Sequence, residues 1–345
     1  MKRNDSDSVP DSQFPSRRGF LRTMGLLTGA ALVSGSPLLS LAAEAVVKDA
    51  RSFTGGRFGL ELDGAFAGFL LSADGGSGVG EVITTRSGGE LIPRKHLGAV
   101  KYENIVLTCG PGMSKAFYGW IKDTTDSKPL PKNGAVLVLD FDSKERSRMT
   151  FQQALITEII FPALDGASKD AAKMTIKIAP ESTRLMGSAP SATGIAKPDL
   201  SKTKAWHTSN FRLRIQGLED ACTRVNRIEP LVVKQVVQNI LSGDKRTQSL
   251  PGLLEFSNLV ITLPEADAGP FYAWYDDFVI KGNQGDAKER QGVLELLDPT
   301  LKEVLLSVTL HHLGIFNFAP ESLDASSEKI RRVRVDMYCE AIQLT

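Results

Sequence analysis

The chain has 345 residues, of which 42% are hydrophobic and 23% charged, an ordinary globular composition that excludes collagen, coiled coil and wholesale disorder. Its 41 basic and 40 acidic residues leave a formal net charge of +1, so the sequence has no basic field that would hold nucleic acid. Four histidines and three cysteines argue against a multi-metal site or a disulfide scaffold.

The first 45 residues have the pattern of an export signal. Two adjacent arginines are followed by Phe and Leu, then by an uncharged apolar stretch that glycines interrupt, and then by an A-x-A cleavage site. This order resembles a twin-arginine signal peptide, and the stretch is too interrupted for a membrane span. The residues that carry the signal are Arg17, Arg18, Phe20, Leu21, Ala43 and Ala45. We predict that the folded protein is exported to the periplasm or the extracellular space, with no membrane association after cleavage.

The next segment, 46–185, predicts a mainly β domain with one helix. Apolar and other residues alternate over Phe58–Leu62, the period of a half-buried strand. A β-branched apolar run at 104–108 predicts another strand. A short helix is expected over 117–121, with Trp120 on its apolar face. Further strands are predicted at 135–141, 147–156 and 174–178.

A second domain, 208–345, repeats the first in the same order after a linker at 186–207. The linker is rich in Gly, Ser, Pro and Ala. The offset between matching segments grows only from 153 to 159 residues. The matches pair Phe58–Gly64 with Phe211–Gly217, Tyr102–Thr108 with Phe256–Thr262, Phe117–Trp120 with Phe271–Trp274, and Leu164-Asp165 with Leu323-Asp324. We therefore predict two tandem small antiparallel β-barrels or sandwiches, each with one packed helix.

No catalytic, cofactor or metal site is predicted. His311 and His312 are neighbours in a strand and point to opposite faces, so they cannot both bind one metal ion. With no cysteine or acidic partner at ligand spacing, a surface or interface role is favoured. Asp276 and Asp277 are interpreted as an exposed acid pair on a helix. Buried free thiols are favoured over a single disulfide, which an exported compartment would permit, for the three cysteines Cys109, Cys222 and Cys339.

Several segments in order resemble the tail-tube proteins of contractile phages, whose fold is related to type VI secretion inner tubes. The first copy carries the stronger resemblance, through Phe58–Gly64, Gly88–Glu90, Lys101–Leu107, Phe117–Trp120 and Pro162–Asp165. The second copy carries a weaker one, through Leu250–Gly252, Phe256–Ile261, Phe271–Trp274 and Leu323-Asp324. The resemblance implies a non-enzymatic structural protein that assembles into hexameric rings.

Two copies in one chain imply that three chains would close such a ring side by side, with threefold symmetry. The segment 72–100 and its counterpart, about 236–253, are expected to be arms that pack on a neighbour, with solvated loops as the alternative. Partners are further copies of the chain and possible tube, sheath or baseplate-like proteins. Two other functions stay open: a hub or adaptor of a contractile injection machine, and an exported binding protein or enzyme without a recognisable site.

Overall fold

The computed structural model describes residues 56–86, 88, 91–187, 206–241, 247–321 and 330–345. The predicted signal peptide therefore lies outside the described residues, and so does most of the predicted linker. Among the described residues, no helix is long and apolar enough to cross a membrane.

The first half forms a closed antiparallel barrel, which we call barrel 1. Its strands follow the order β7-β6-β1-β2-β5-β9, and β9 pairs back onto β7 to close the cylinder. The elements of this half are β1 Arg57–Leu62, β2 Ala65–Gly75, β3 Gly78–Thr85, β4 Arg94–Tyr102, β5 Ile105–Cys109, α1 Lys115–Thr125, β6 Lys132–Leu139, β7 Glu145–Ile160, β8 Leu164–Asp165, β9 Met174–Ala179 and β10 Ser182–Gly187.

The second half forms barrel 2, with the strand order β11-β16-β17-β18-β15-β12. This sheet is open, because no pairing joins β11 to β12 among the described residues. Its elements are β11 Phe211–Ile215, α2 Glu219–Cys222, β12 Arg227–Ile228, β13 Val232–Leu241, β14 Thr247–Phe256, β15 Leu259–Pro264, α3 Gly269–Tyr275, β16 Arg290–Leu297, β17 Val304–Pro320, β18 Arg332–Tyr338 and β19 Ala341–Leu344. The predicted fold class, mainly β with two barrel-like sheets, is confirmed.

The two barrels share irregularities of the backbone as well as strand order. The β6–β7 ladder of barrel 1 has a bulge between Lys132 and Gly134, and the β16–β17 ladder of barrel 2 has one between Arg290 and Gly292. Two pairs of non-glycine residues with positive φ also fall at matching positions: Ser143 (62°) with Leu301 (59°), and Gln153 (49°) with His312 (53°). Bulges are specific features of a strand pairing, so their agreement supports the predicted duplication.

Each barrel packs one helix through an aromatic face. Helix α1 begins after Ser114, whose hydroxyl accepts a hydrogen bond from the Phe117 amide. Trp120 is 1% exposed and its counterpart Trp274 is 5% exposed. Both therefore lie at equivalent buried places, as the repeat predicts. The other predicted helix-face residues are also buried, namely Phe117, Ile121, Phe271 and Phe278.

The two barrels are joined side by side through strand pairing. Strand β13 of the second half adds to β7 of barrel 1, and β8 of the first half adds to β12 of barrel 2. One cluster of buried apolar side chains runs through both halves. Barrel 1 thus gains the hairpin β13–β14 as an extension of its sheet.

Candidate assembly surface

The contact between the barrels is built on the hairpin β13–β14, which we call the docked hairpin. Val232 and Val233 pair with Ile160 and Ile159 of β7, and Lys234 pairs with Glu158. Further along, the Ser249 amide of β14 donates a 2.8 Å hydrogen bond to Glu181 Oε1. Both backbone pairing and one carboxylate of the first half therefore hold this arm of the second half.

The equivalent hairpin of the first half, β3–β4, has no such partner, and we call it the free hairpin. Its two strands pair with each other and with no other strand of the described residues. It exposes the large apolar side chains Val79, Val82, Ile83, Leu97 and Val100, and Leu97 is 73% exposed. Exposed apolar surfaces are typical of interaction sites, and an isolated two-stranded hairpin is marginally stable in water.

Barrel 2 has an edge that matches the occupied edge of barrel 1. Residues 314–320 of β17 pair with β18 on one side, and no strand of the described chain pairs with the other side. Asn317 donates a 2.8 Å hydrogen bond to Asp336 on β18, while the Phe318 ring packs against Tyr272 and Tyr275 of α3. This part of β17 is therefore held by β18 and by α3, and its other edge has no strand partner among the described residues. We call this stretch the open edge.

An acidic cluster lies at the turn next to the open edge. Ligand atoms of Glu289, His312 and Glu340 all lie within 4.8 Å of one another. His312 Nδ1 lies 2.8 Å from Glu289 Oε2, and the Tyr338 hydroxyl donates a 2.6 Å hydrogen bond to Glu289 Oε1. Burial, that hydrogen bond and the nearby carboxylate charges raise the pKa of Tyr338 well above its usual range. Two carboxylates and an imidazole at this spacing can hold a divalent ion or a basic side chain.

The expectation that His312 has no acidic neighbour is therefore wrong. Glu289 precedes β16 and Glu340 lies in the turn after β18, so both are far from His312 in sequence. The pairing of β16 and β18 with β17 brings them together. His311 has a different partner, Gln343, at 3.0 Å, so the two histidines do not share one site.

The acid pair Asp276 and Asp277 is half-buried rather than exposed. Asp276 pairs with Lys281 at 2.5 Å, and Asp277 is held by Asn283 and Lys288. The hydrogen bond from Asn283, followed by Lys288, lowers the pKa of Asp277. All three cysteines are buried and free. Burial raises the pKa of the thiols, to about 12 for Cys109 and to about 11 for Cys222 and Cys339.

Comparison with protein families identifies the first half. The model of the T4-like virus tail tube protein gp19 family matches residues 57–184, which is the segment that forms barrel 1. Residues 57–184 are a tail-tube-like domain. The resemblance predicted for the first copy is confirmed, and the family is one of structural tube components. A comparison with curated proteins gives no match.

Three of the matching solved structures each cover less than half of this chain. The cap of the anti-feeding prophage is 20% identical, with 44% of this chain and 100% of that chain covered and a TM-score of 0.36. The sheath–tube complex of an extracellular contractile injection system, PVC, is 19% identical, covers 41% and 95%, and has a TM-score of 0.36. Hcp1 from Flavobacterium johnsoniae is 10% identical, covers 39% and 93%, and has a TM-score of 0.24.

Proposed function

We propose that this tail-tube-like chain is a non-enzymatic structural protein that assembles with copies of itself into a ring of three chains, or into a stack of such rings. The observation that carries the proposal is the pairing of β13 with β7. In this pairing the docked hairpin extends the sheet of barrel 1. The free hairpin and the open edge, which are the equivalent elements, have no such partner among the described residues.

A contact of this kind is heterologous, because the arm of one barrel meets the edge of another. Repeated contacts of this type generate a closed ring or an open filament. The free hairpin and the open edge are the two halves of one further contact of the same type. A six-barrel ring, the assembly that the tail-tube resemblance implies, closes with three chains and gives each free hairpin an open edge to pair with.

The oligomeric state of the purified protein tests this proposal. Mass photometry and sedimentation are expected to give trimers or multiples of trimers. A variant in which a Gly-Ser turn replaces the free hairpin is expected to stay folded and monomeric, because that hairpin pairs with no other strand of the described chain. A wild-type protein that stays monomeric at micromolar concentration would refute the structural function and favour the binding-protein alternative.

Export in the folded state is the second part of the proposal, and its support is the order of motifs in residues 1–45. Arg17→Lys together with Arg18→Lys is expected to retain the precursor in the cytoplasm, while the variant Lys2→Arg, outside the motif, is exported normally. Export of the double variant through an inhibited twin-arginine pathway would show that the signal was misinterpreted. An exported ring would meet tube, sheath or baseplate-like partners outside the cytoplasm.

A further inference from the structure

We propose that the free hairpin of one chain docks on the open edge and the acidic cluster of a second copy, in a register that the chain itself displays. This inference deepens the proposed function, because it names the contact that closes the ring. The pairing between β13 and β7 inside the chain serves as the template for this contact. Each residue of that pairing has an equivalent position in the other half, and the residues at these equivalent positions are expected to pair between chains.

The two hairpins have the same internal register. In the free hairpin Gly78 pairs with Tyr102, and in the docked hairpin Val233 pairs with Phe256. Each ladder then has a bulge at the same distance, between Gly80 and Val82 in one and between Gln235 and Val237 in the other. Val79 of the free hairpin therefore corresponds to Lys234 of the docked hairpin.

The two edges also have the same internal register. In the β7–β9 ladder a bulge lies between Ile156 and Glu158, and in the β17–β18 ladder one lies between Ile315 and Asn317. Asn317 is thus the counterpart of Glu158. Even the partner across the ladder is matched, because Glu158 forms an ion pair with Lys177 and Asn317 bonds Asp336 at the equivalent place.

The contact between chains follows from the two correspondences, free hairpin with docked hairpin and open edge with β7. Lys234 pairs with Glu158 inside the chain, so Val79 of one copy pairs with Asn317 of the next. Val233 pairs with Ile159, so Gly78 pairs with Phe318. The strands run antiparallel, and the unpaired backbone groups of the open edge gain partners.

Charge supports the same pairing. The template has Ser249 bonded to Glu181, and the repeat converts these residues into Lys95 of the free hairpin and Glu340 of the acidic cluster. Lys95 stands between Arg94 and His96 on an exposed strand, whereas the docked hairpin has Gln248, Ser249 and Leu250 at these places. The basic residues therefore occur on the free hairpin, which is the hairpin proposed to bind a second copy.

The acidic residues are distributed in the complementary way. Barrel 2 has Glu289 and His312 beside Glu340, whereas barrel 1 has Pro131 and Gln153 at the positions that correspond to Glu289 and His312. A contact within one chain needs no electrostatic selection of its partner. A contact between chains gains both association rate and specificity from opposite charges. The asymmetry between the barrels is the one expected if only barrel 2 receives a hairpin from outside.

Cysteine cross-linking tests the register. In an antiparallel ladder, paired Cα atoms lie about 4.5–5.5 Å apart, within the range that a disulfide bridges. Val79→Cys with Asn317→Cys is expected to link separate chains on oxidation, up to a covalent trimer. The matched control, Lys234→Cys with Glu158→Cys, is expected to form a bond inside one chain and to leave the mass on a denaturing gel at that of a monomer.

Charge exchange tests the acidic cluster. Glu340→Lys is expected to weaken assembly at least tenfold, and Lys95→Glu in the same chain is expected to restore most of it. The equivalent change in barrel 1, Glu181→Lys, is the control and is expected to leave the oligomeric state unchanged. Assembly that disappears on adding EDTA would overturn the inference, because a metal ion would then occupy the cluster in place of the lysine.

The outcomes separate this inference from the proposed function. Wild-type trimers whose Val79→Cys/Asn317→Cys variant forms no link between chains, while the control pair forms its internal link, would refute the register and leave the ring intact. Wild-type trimers that Glu340→Lys does not weaken would refute the role of the cluster. A wild-type monomer would refute the proposed function itself, and this contact with it.

Discussion

The two barrels have the same strand order, but among the described residues strand pairing closes only barrel 1. In barrel 1 the strands β1 and β2 form a tight hairpin around Asp63 and Gly64, both with positive φ, as a type I′ turn requires. In barrel 2 the chain leaves β11, forms the short helix α2, and returns as the two-residue strand β12. Strand β12 does not pair with β11 and pairs instead with β8 of the first half.

This difference lies at the contact between the two halves. Barrel 1, in which β1 pairs with β2, is followed by the strand β8, and β8 pairs with β12 of barrel 2. Both sheets therefore satisfy backbone groups that an isolated barrel 2 would expose. The halves differ most where they touch each other, while the bulges and positive-φ residues elsewhere stay the same.

The largest effect is expected at the two helix tryptophans. Trp120→Ala and Trp274→Ala should each lower the free energy of unfolding by about 3–5 kcal/mol, the usual result for a buried large aromatic. Urea denaturation measures both. Very different losses at the two sites would contradict the equivalence of the barrels, since both rings are buried.

Trp→Phe variants are a sharper control at the same sites. Trp120 Nε1 donates a 2.9 Å hydrogen bond to the Leu130 carbonyl. Trp274 Nε1 has no acceptor among the described residues, and the Arg290 guanidinium lies 4.8 Å from its ring centre. Trp120→Phe loses a hydrogen bond and leaves a carbonyl without its donor, so its loss of stability should exceed that of Trp274→Phe.

A smaller effect is expected at one pair of equivalent positions, where the large residue lies on β7 in barrel 1 and on β18 in barrel 2. Barrel 1 pairs Leu155 with Ala179, and barrel 2 pairs Gly314 with Tyr338. A Cβ at Gly314 would lie 2.0 Å from the Tyr338 ring. Gly314→Ala should therefore cost about 1–3 kcal/mol, as overpacking does, measured by the same denaturation. The double variant Gly314→Ala/Tyr338→Ala should recover part of that loss, and no recovery would mean that the collision is elsewhere.

The smallest effect is a pH dependence at the turn between β6 and β7. Asp140 accepts hydrogen bonds from the Asp142 and Lys144 amides and pairs with Arg146. The Lys144 amide is the main cause that lowers the pKa of Asp140 below its ordinary 3.8. Because the folded-state pKa is depressed, the stabilisation is present above the ordinary pKa and is lost as pH falls through the folded-state value.

Asp140→Ala should accordingly lower the melting temperature at neutral pH, and its melting temperature should converge with that of the wild type as the solution is acidified below the ordinary pKa. Thermal denaturation over a pH series measures this. Lys144→Ala is the matched control, because it keeps the backbone amide that donates to Asp140. A gap between Asp140→Ala and the wild type that persists at low pH would show that the carboxylate charge is not its cause.

Local patterns were enough to predict the fold class, the two helices and their buried faces. The drift of the repeat offset from 153 to 159 residues was also readable, because a bulge or a longer turn adds residues without changing the strand order. The arms were predicted as well, although the boundaries of the free hairpin and the docked hairpin fall several residues from those expected.

Three features of the site could not be read from the chain. The pairing of β13 with β7 joins residues more than 70 positions apart, and no local pattern specifies which edge a hairpin meets. Strand β12 pairs with β8 of the first half in place of β11, and β8 is only two residues long. Glu289, His312 and Glu340 converge through a bulge and a turn, so a search at ligand spacing along the sequence passes over them.

The covalent joining of two barrels sets how the proposed ring depends on protein concentration. The pairing of β13 with β7 occurs within one molecule, so the tether fixes its effective concentration at any level of expression. In a ring of three chains, half of the contacts between barrels are therefore formed before two molecules meet. Dilution acts on the remaining half alone, and the fused chain keeps its rings at concentrations where six separate barrels would dissociate.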